Sequence, residues 1–464
     1  MDPKHKPNPR RTSAPDETPQ QTPREAPPPS RAIALDALDA MLRQGRTLNE
    51  ALETRPSYAA MASRDRAFTR LLLLTTLRRL GQIDAAIDSL LAKPLPAKRA
   101  LVRNILRLGA AQLLFLGTAP HAAVDSAVRQ TAKSPHSGLK GLVNAILRRL
   151  SREGEALLAT QDAAHLNTSD WLWQSWTESY GRDQCRAIAE AHMAEPPIDL
   201  NFKAGGERTD STGSTNNGDW AIRIGGEALP GDMLRLTRAG SVEALEGFGE
   251  GAWWVQDFAA ALPARLLGDI ACQSIIEIGA APGGKTAQLA SAGANVQALD
   301  RSPTRLTRLH QNLSRLGLQA EIIEGDGQSW RPQTMADAVL LDAPCSATGT
   351  IRRHPEIMWR RAAKDIALLA KKQIGLLQAA LEMVKPGGLV VYAVCSLEPE
   401  EGPELVENFL RQNGNVARVP VTASEIYGLA EMLTAVGDLR TLPCHMGAAG
   451  GMDGFFATRL RRIN

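Results

Sequence analysis

At 464 residues, with 44% hydrophobic and 22% charged side chains, the chain carries enough apolar material for two or three folded domains. No apolar run reaches the roughly 20 residues of a membrane span, and the leucines at 71–74 soon meet Arg78 and Arg79. Five cysteines without a CxxC pair point to neither a metal site nor a disulfide framework, and no basic-then-apolar leader opens the chain, so no membrane association and a cytoplasmic location are expected.

The net charge of +3 hides an uneven distribution, because residues 31–155 hold 20 Lys and Arg against 10 Asp and Glu. That surplus suits a module that sits on phosphates. Residues 1–30, rich in Pro, Thr, Ser and charge, are expected to be disordered. From residue 31 the apolar spacing is helical. Leu35, Leu38 and Leu42 mark one helix, and Ser63 is expected to cap another that runs through Phe68, Leu71 and Thr75 and stops at Gly81. Leu101, Ile105, Leu108 and Phe115 mark a third, and Leu142, Ile146 and Leu150 a fourth. An all-α domain over 31–155 follows, with Arg78, Arg79, Arg99, Arg103, Arg107, Arg148, Arg149 and Arg152 as candidate phosphate contacts. Its stretches 108–116, 121–124 and 141–149 together resemble the NusB-type antitermination domain, and the resemblance implies a helical RNA-binding fold.

Residues 165–255 read as a small α+β connector. Trp171, Trp173, Trp176 and Tyr180 fall near a helix and are expected to pack in a core; residues 196–202 read as a strand, and 209–219 as a mobile loop. The segment Trp253 to Asp257 precedes a helix starting near Phe258.

In the region 256–464, Ile275, Ile276 and Ile278 end at the glycine-rich loop Gly279-Ala280-Ala281-Pro282-Gly283-Gly284-Lys285, and a helix-compatible segment begins at Thr286. Two ligands suit such a strand–turn–helix. Gly279, Gly284, Lys285 and Thr286 satisfy the phosphate-loop pattern, and Asp342 after an apolar strand supplies a magnesium-type carboxylate. The other ligand is an adenosyl group, with Asp300 on the next strand end placed for ribose hydroxyls. Pro282 weighs against phosphate, since it removes one N–H from the loop.

Beyond the loop, strands are expected at 295–299, 320–323, 338–341 and 389–394, and helices at 303–316, 362–384 and 404–410, with a stop at Pro386-Gly387-Gly388. This alternation defines a doubly wound, Rossmann-like α/β sheet whose ligands sit at the carboxyl ends of its strands. Asp300, Asp326, Asp342, Cys345 and Cys395 all fall at such ends. A phosphate hydrolase has no need of two cysteines there. Methylation at carbon 5 of cytosine does, because that carbon becomes nucleophilic only after a thiolate adds to carbon 6. The thiolate in turn needs positive potential, from Lys285 or from a helix beginning near Glu400.

Ala280-Ala-Pro-Gly-Gly-Lys-Thr286, the run from Leu341 to Pro355, Cys395-Ser396 and Met452-Asp-Gly-Phe-Phe456 closely resemble the Sun/Fmu-type RNA (cytosine-5) methyltransferases of the NOL1/NOP2/Sun family, over residues 165–464. With the NusB-like domain in front, the resemblance implies a monomeric enzyme acting on 16S rRNA or a small-subunit assembly intermediate. It implies S-adenosyl-L-methionine held by residues 279–285, Asp300, Arg305, Asp326 and Asp342, with Cys395 as nucleophile, Cys345 assisting product release and Asp342 also holding the cytosine edge. The chain departs from the family pattern twice. Gly279 stands where Cys is usual, an exchange expected to leave cofactor binding intact because backbone carries that site, and Val394 replaces a Thr, which removes a hydroxyl contact.

Overall fold

The computed structural model describes residues 30–203, 217–237 and 240–464, so the expected disordered tail and most of the expected loop at 209–219 lie outside the described residues. The last three residues of that loop open a helix, Asn217–Ile224.

The first domain is helical throughout its described length. Helices Ser30–Gln44, Ser63–Arg78, Leu80–Leu90, Ala100–Leu114, Pro120–Ala132 and Lys140–Ala159 enclose one core built on Leu38, Leu72, Leu73, Ile83, Ile105, Val143 and Leu147. Two local expectations need correction. Ser63 is the first helical residue and its side chain caps nothing; Leu71 is exposed, and Leu72, Leu73, Thr76 and Leu77 form the buried stripe instead. Gly81 does not end a helix but sits in the first turn of the next one, where a Cβ would fall 1.6 Å from the Leu166 carbonyl oxygen. It is glycine because another segment crosses there.

The connector strands are β1 (Ile198–Phe202), β2 (Glu227–Leu229), β3 (Met233–Leu236) and β4 (Trp253–Val255), antiparallel in the order β2-β3-β1-β4. Its helices Asp170–Tyr180 and Arg182–Met193 bury Leu172, Trp176, Cys185 and Ile188 against Ile351, Ile357, Met358 and Leu397 of the last domain. Of the four aromatics expected in a core there, only Trp176 is fully buried.

The large sheet comprises β5 (Ser274–Ile278), β6 (Asn295–Asp300), β7 (Glu321–Glu324), β8 (Ala336–Asp342), β9 (Val384–Val394), β10 (Val416–Arg418), β11 (Leu439–Thr441) and β12 (Phe455–Arg462). Its order is β10-β12-β9-β8-β5-β6-β7, with β11 on β12; β5 to β9 are parallel, and β10 and β12 add antiparallel at one edge. The chain steps from β5 to β6 on one side and returns to β8 on the other. The crevice between β5 and β8 is therefore the switch point where such sheets bind ligands. The expected stop at 386–388 is met differently: the helix Ala363–Met383 ends earlier, and strand β9 already begins at Val384. A register shift between Ala336 and Ala338, with Gly387 at φ +81°, absorbs the glycines before the regular ladder resumes at Leu389.

Candidate active site

The site begins with Gly279, whose φ of +83° lies in the left-handed region. A Cβ there would lie 2.3 Å from the Asp342 carbonyl oxygen. The departure from cysteine thus lets the β5 turn press against the end of β8. The turn is tied to β6 by Gly279 N donating to Leu299 O (2.8 Å) and Ala281 N to Asp300 Oδ2 (3.3 Å). Asp300, buried at the end of β6, also accepts Ser302 N (2.9 Å) and pairs with Arg305 (3.3 Å), which donates in addition to the Ala281 carbonyl. Asp326, in the turn after β7, accepts Gln328 N at 2.9 Å.

Gly279, Asp300, Arg305, Asp326, Asp342, Cys345 and Cys395 line one cleft of about 230 Å³, with Ile278, Leu299 and Leu376 as its apolar walls. The rest of the expected cofactor loop, Ala280 to Lys285, opens on a second cleft of about 510 Å³ that also includes Trp254, His354 and Phe455. Asp342 is common to both. Asp300, Asp326 and Asp342 beside an apolar wall offer acceptors for ribose hydroxyls and an ammonium group, with Arg301, Arg305 and Lys372 also on the lining. The phosphate-loop reading fails on its donors: Lys285 Nζ is held by Asp342 Oδ2 at 2.8 Å, and Ala281 N is spent on Asp300.

Lys285 is buried on that second side, its ammonium 5.1 Å from the centre of the Phe455 ring. Burial disfavours its charge, but Asp342, Glu277 and the Cys395 sulfur outweigh burial and raise its pKa above the ordinary lysine value. Of the two expected sources of positive potential, Lys285 is present as a charged group held by Asp342. The expected helix begins only at Pro403, after a turn at Pro399–Glu401 that is itself acidic.

Cys395 directly follows β9, and Cys345 lies three residues beyond β8; their Sγ atoms are 3.5 Å apart. Cys345 is the more buried. Its hydrogen bond to Cys395, its burial and the nearby charges of Cys395 and Glu401 push its pKa well above the usual thiol value.

Sequence reasoning missed several groups around this pair. Glu401 is fully buried between the two cysteine loops; it is one of two adjacent acids at a helix start, where solvent exposure is the usual outcome. Glu277, at 1% exposure within a parallel strand, accepts the Thr286 hydroxyl at 2.6 Å, and burial pushes its carboxyl up to about 8. The only signal for it was a charge inside an isoleucine run. Arg353 pairs with Asp257 and Asp453 (3.1 Å) and donates to Pro197 O, so it braces the loop that follows Cys345 against the connector.

Six of the eight candidate phosphate contacts separate into three groups, while Arg99 contacts His136 and Arg152 lies 4.0 Å from Glu153. Arg78 donates to Arg352 O (3.0 Å) and Arg79 to Gln82 Oε1 (3.2 Å) and Met193 O (3.5 Å), so both lie at the domain junction. Arg103 and Arg107 are engaged by Asp84 and Asp88. Arg148 and Arg149 are exposed on the last helix of the domain, where their guanidinium groups bond to Asn144 and Glu153 of the same helix.

A doubly wound sheet with a glycine turn after its first strand, carboxylates at the next two strand ends and a cleft at the switch point suits an adenosyl ligand, as in the class I methyltransferases. The family model for 16S rRNA methyltransferase RsmB/F matches residues 266–461, and that of the NusB family matches 28–152. The chain is 36% identical to ribosomal RNA small subunit methyltransferase B of Salmonella arizonae over 402 residues, covering 83% of this chain and 91% of that protein; the Salmonella typhi protein matches to the same extent. The crystal structure of PH0851 shares the fold, with TM-score 0.71 at 22% identity over 94% of this chain and 99% of that one. The chain belongs to the RsmB/F methyltransferase family, and its cofactor is S-adenosyl-L-methionine.

Proposed function

We propose that the protein methylates carbon 5 of a cytosine in 16S rRNA through a covalent bond between Cys395 and carbon 6. The observation that carries this reading is the pair of thiols 3.5 Å apart at the edge of the cleft at the switch point. A methyltransferase acting on a nitrogen or oxygen has no use for them.

Residues 279, 300, 305, 326 and 342 hold the cofactor, which supplies an electrophilic methyl group to the site. The target base enters from the side of Lys285 and Phe455, flipped out of any stack so that carbon 6 is open to sulfur. Cys395 adds to carbon 6, and the electron pair of the C5–C6 double bond shifts toward carbon 5 and the adjoining C4–N3 unit. Lys285 offsets the negative charge that gathers there, and the Asp342 oxygen not held by Lys285 holds the base edge. Carbon 5 would then bond to the methyl carbon, the sulfonium sulfur keeping the C–S pair. Once Cys395 is bonded to carbon, its hydrogen bond to Cys345 and the sulfur charge that help keep the proton on Cys345 are gone, while burial remains. Cys345 then loses that proton to water and takes the one on carbon 5. The C–H pair re-forms the C5–C6 double bond, and the C6–S pair returns to Cys395.

The helical domain provides the salt-sensitive grip on RNA. Residues 126–152 contain no acid, and Lys140, Arg148 and Arg152 follow one another at spacings of eight and four along one exposed side of helix Lys140–Ala159. Lys133 and Lys140 flank the turn that precedes this helix. We infer that this stripe lies along the phosphate backbone. Incubation with unmodified small-subunit rRNA and methyl-labelled cofactor tests the function: label is expected in 5-methylcytidine, and label in another nucleoside, or none, overturns the reading.

A further inference from the structure

One carboxylate joins the segments that follow the two cysteines. Glu401 Oε1 accepts Ser346 N (3.0 Å) and Gln373 Nε2 (2.9 Å), while Oε2 accepts the hydroxyls of Ser346 and Ser396 (2.6 Å). Its own carbonyl accepts the Tyr392 hydroxyl at 2.6 Å. Two obligate donors, Ser346 N and Gln373 Nε2, and two hydroxyls surround the carboxyl group. Ser346 follows Cys345, and Ser396 follows Cys395.

The two cysteines do not depend on it equally. Cys395 continues a strand whose Val394 is paired with Phe456 of β12. Cys345 lies beyond the last β8 ladder pair, and past Ala343, which donates to Ala393 O, its segment is held by Glu401, by Gln373 on the Pro344 carbonyl and by Arg361 on the carbonyls of Cys345 and Ser346. Glu401 also adds its charge to the causes that keep Cys345 protonated, after the Cys395 sulfur and burial.

We propose that Glu401 is a positioning residue for product release: its carboxylate holds Cys345 within reach of the Cys395-bound base, so that its loss stalls release before it affects methyl transfer. This rests on the covalent reading above. In the step concerned, the Cys345 thiolate takes the proton on carbon 5, the C–H pair becomes the double bond, and Cys395 leaves with the C–S pair.

Glu401→Gln and Glu401→Asp, with an unmodified rRNA fragment and cofactor, give the test. In Glu401→Gln, first-turnover methyl transfer is expected to stay within about threefold of the parent, and release of the RNA–protein adduct to slow by about tenfold or more. Release rises with pH as Cys345 deprotonates, and removing a negative neighbour moves that rise to lower pH. A merely structural loosening lowers the rate without moving the profile. Glu401→Asp keeps the charge and is expected to slow release at an unmoved profile, as is Ser346→Ala, which serves if Glu401→Gln does not fold. Release at the parental rate in Glu401→Gln and Ser346→Ala, or equal slowing of transfer and release with an unmoved profile, overturns the inference. Absence of any trapped adduct between the parent protein and 5-fluorocytidine RNA would instead sink the covalent reading itself.

Discussion

Cys345 and Cys395 bring their sulfur atoms to 3.5 Å from the ends of two adjacent parallel strands, β8 and β9. At that distance one sulfur governs the protonation of the other, and the two are expected to fail differently. Cys395→Ala is expected to abolish turnover and leave no adduct. Cys345→Ala is expected to methylate once and stay attached to its RNA, visible as a retarded band on a denaturing gel. The reverse pattern would exchange the two roles.

Glu277 makes the fold sensitive to alkali. Burial holds its carboxyl at about 8 against an ordinary 4.5, so the folded chain binds that proton more tightly than the unfolded one. The contribution is complete below pH 4.5 and disappears as pH rises through about 8, each tenfold difference in proton affinity being worth about 1.4 kcal/mol. Glu277→Gln is expected to match the parent near pH 5 and to melt several degrees higher at pH 9. Thermal unfolding at the two pH values checks this, and parallel curves would refute it.

Gly279 is required by geometry in this chain. Gly279→Ala places a Cβ against the Asp342 carbonyl at a φ that side chains resist, at a cost of about 1–3 kcal/mol. Cofactor affinity, measured by calorimetry, is expected to drop by about tenfold or more, because relief of the clash moves the turn that lines the cleft.

The basic stripe and the junction arginines should separate in salt titrations. Lys140→Ala combined with Arg148→Ala is expected to weaken binding of an rRNA fragment and to lower the slope of log affinity against log salt by about 2. Arg78→Ala removes a bond to Arg352 and is expected to lower the melting temperature while leaving that slope unchanged.

The domain order, the strand–turn–helix at 275–286 and the chemistry-bearing strand ends could be read from the sequence because each is a local pattern: an isoleucine run, a glycine loop, a polar residue after an apolar strand. Ser63 and Gly81 were misread because cap and stop signals are statistical, and the crossing of Leu166 over Gly81 is a contact across 85 residues. Arg78 looked like Arg148, since both are basic residues on helices. One faces a neighbouring domain and the other faces water, a difference that only tertiary packing creates. Glu401 was hidden for the same reason, as its partners Ser346 and Gln373 are brought to it by separate strands and helices.

Leu48 N donates to Glu356, Trp359 Nε1 to Leu77 O, and Arg78 to Arg352 O, so the flap that starts at Cys345 leans on the helical domain. A gene fragment beginning at residue 256 would express a sheet whose second thiol hangs from an unbacked flap. Substitutions at Leu48, Leu77 or Arg78 in those first helices are therefore expected to reach the second thiol through the flap.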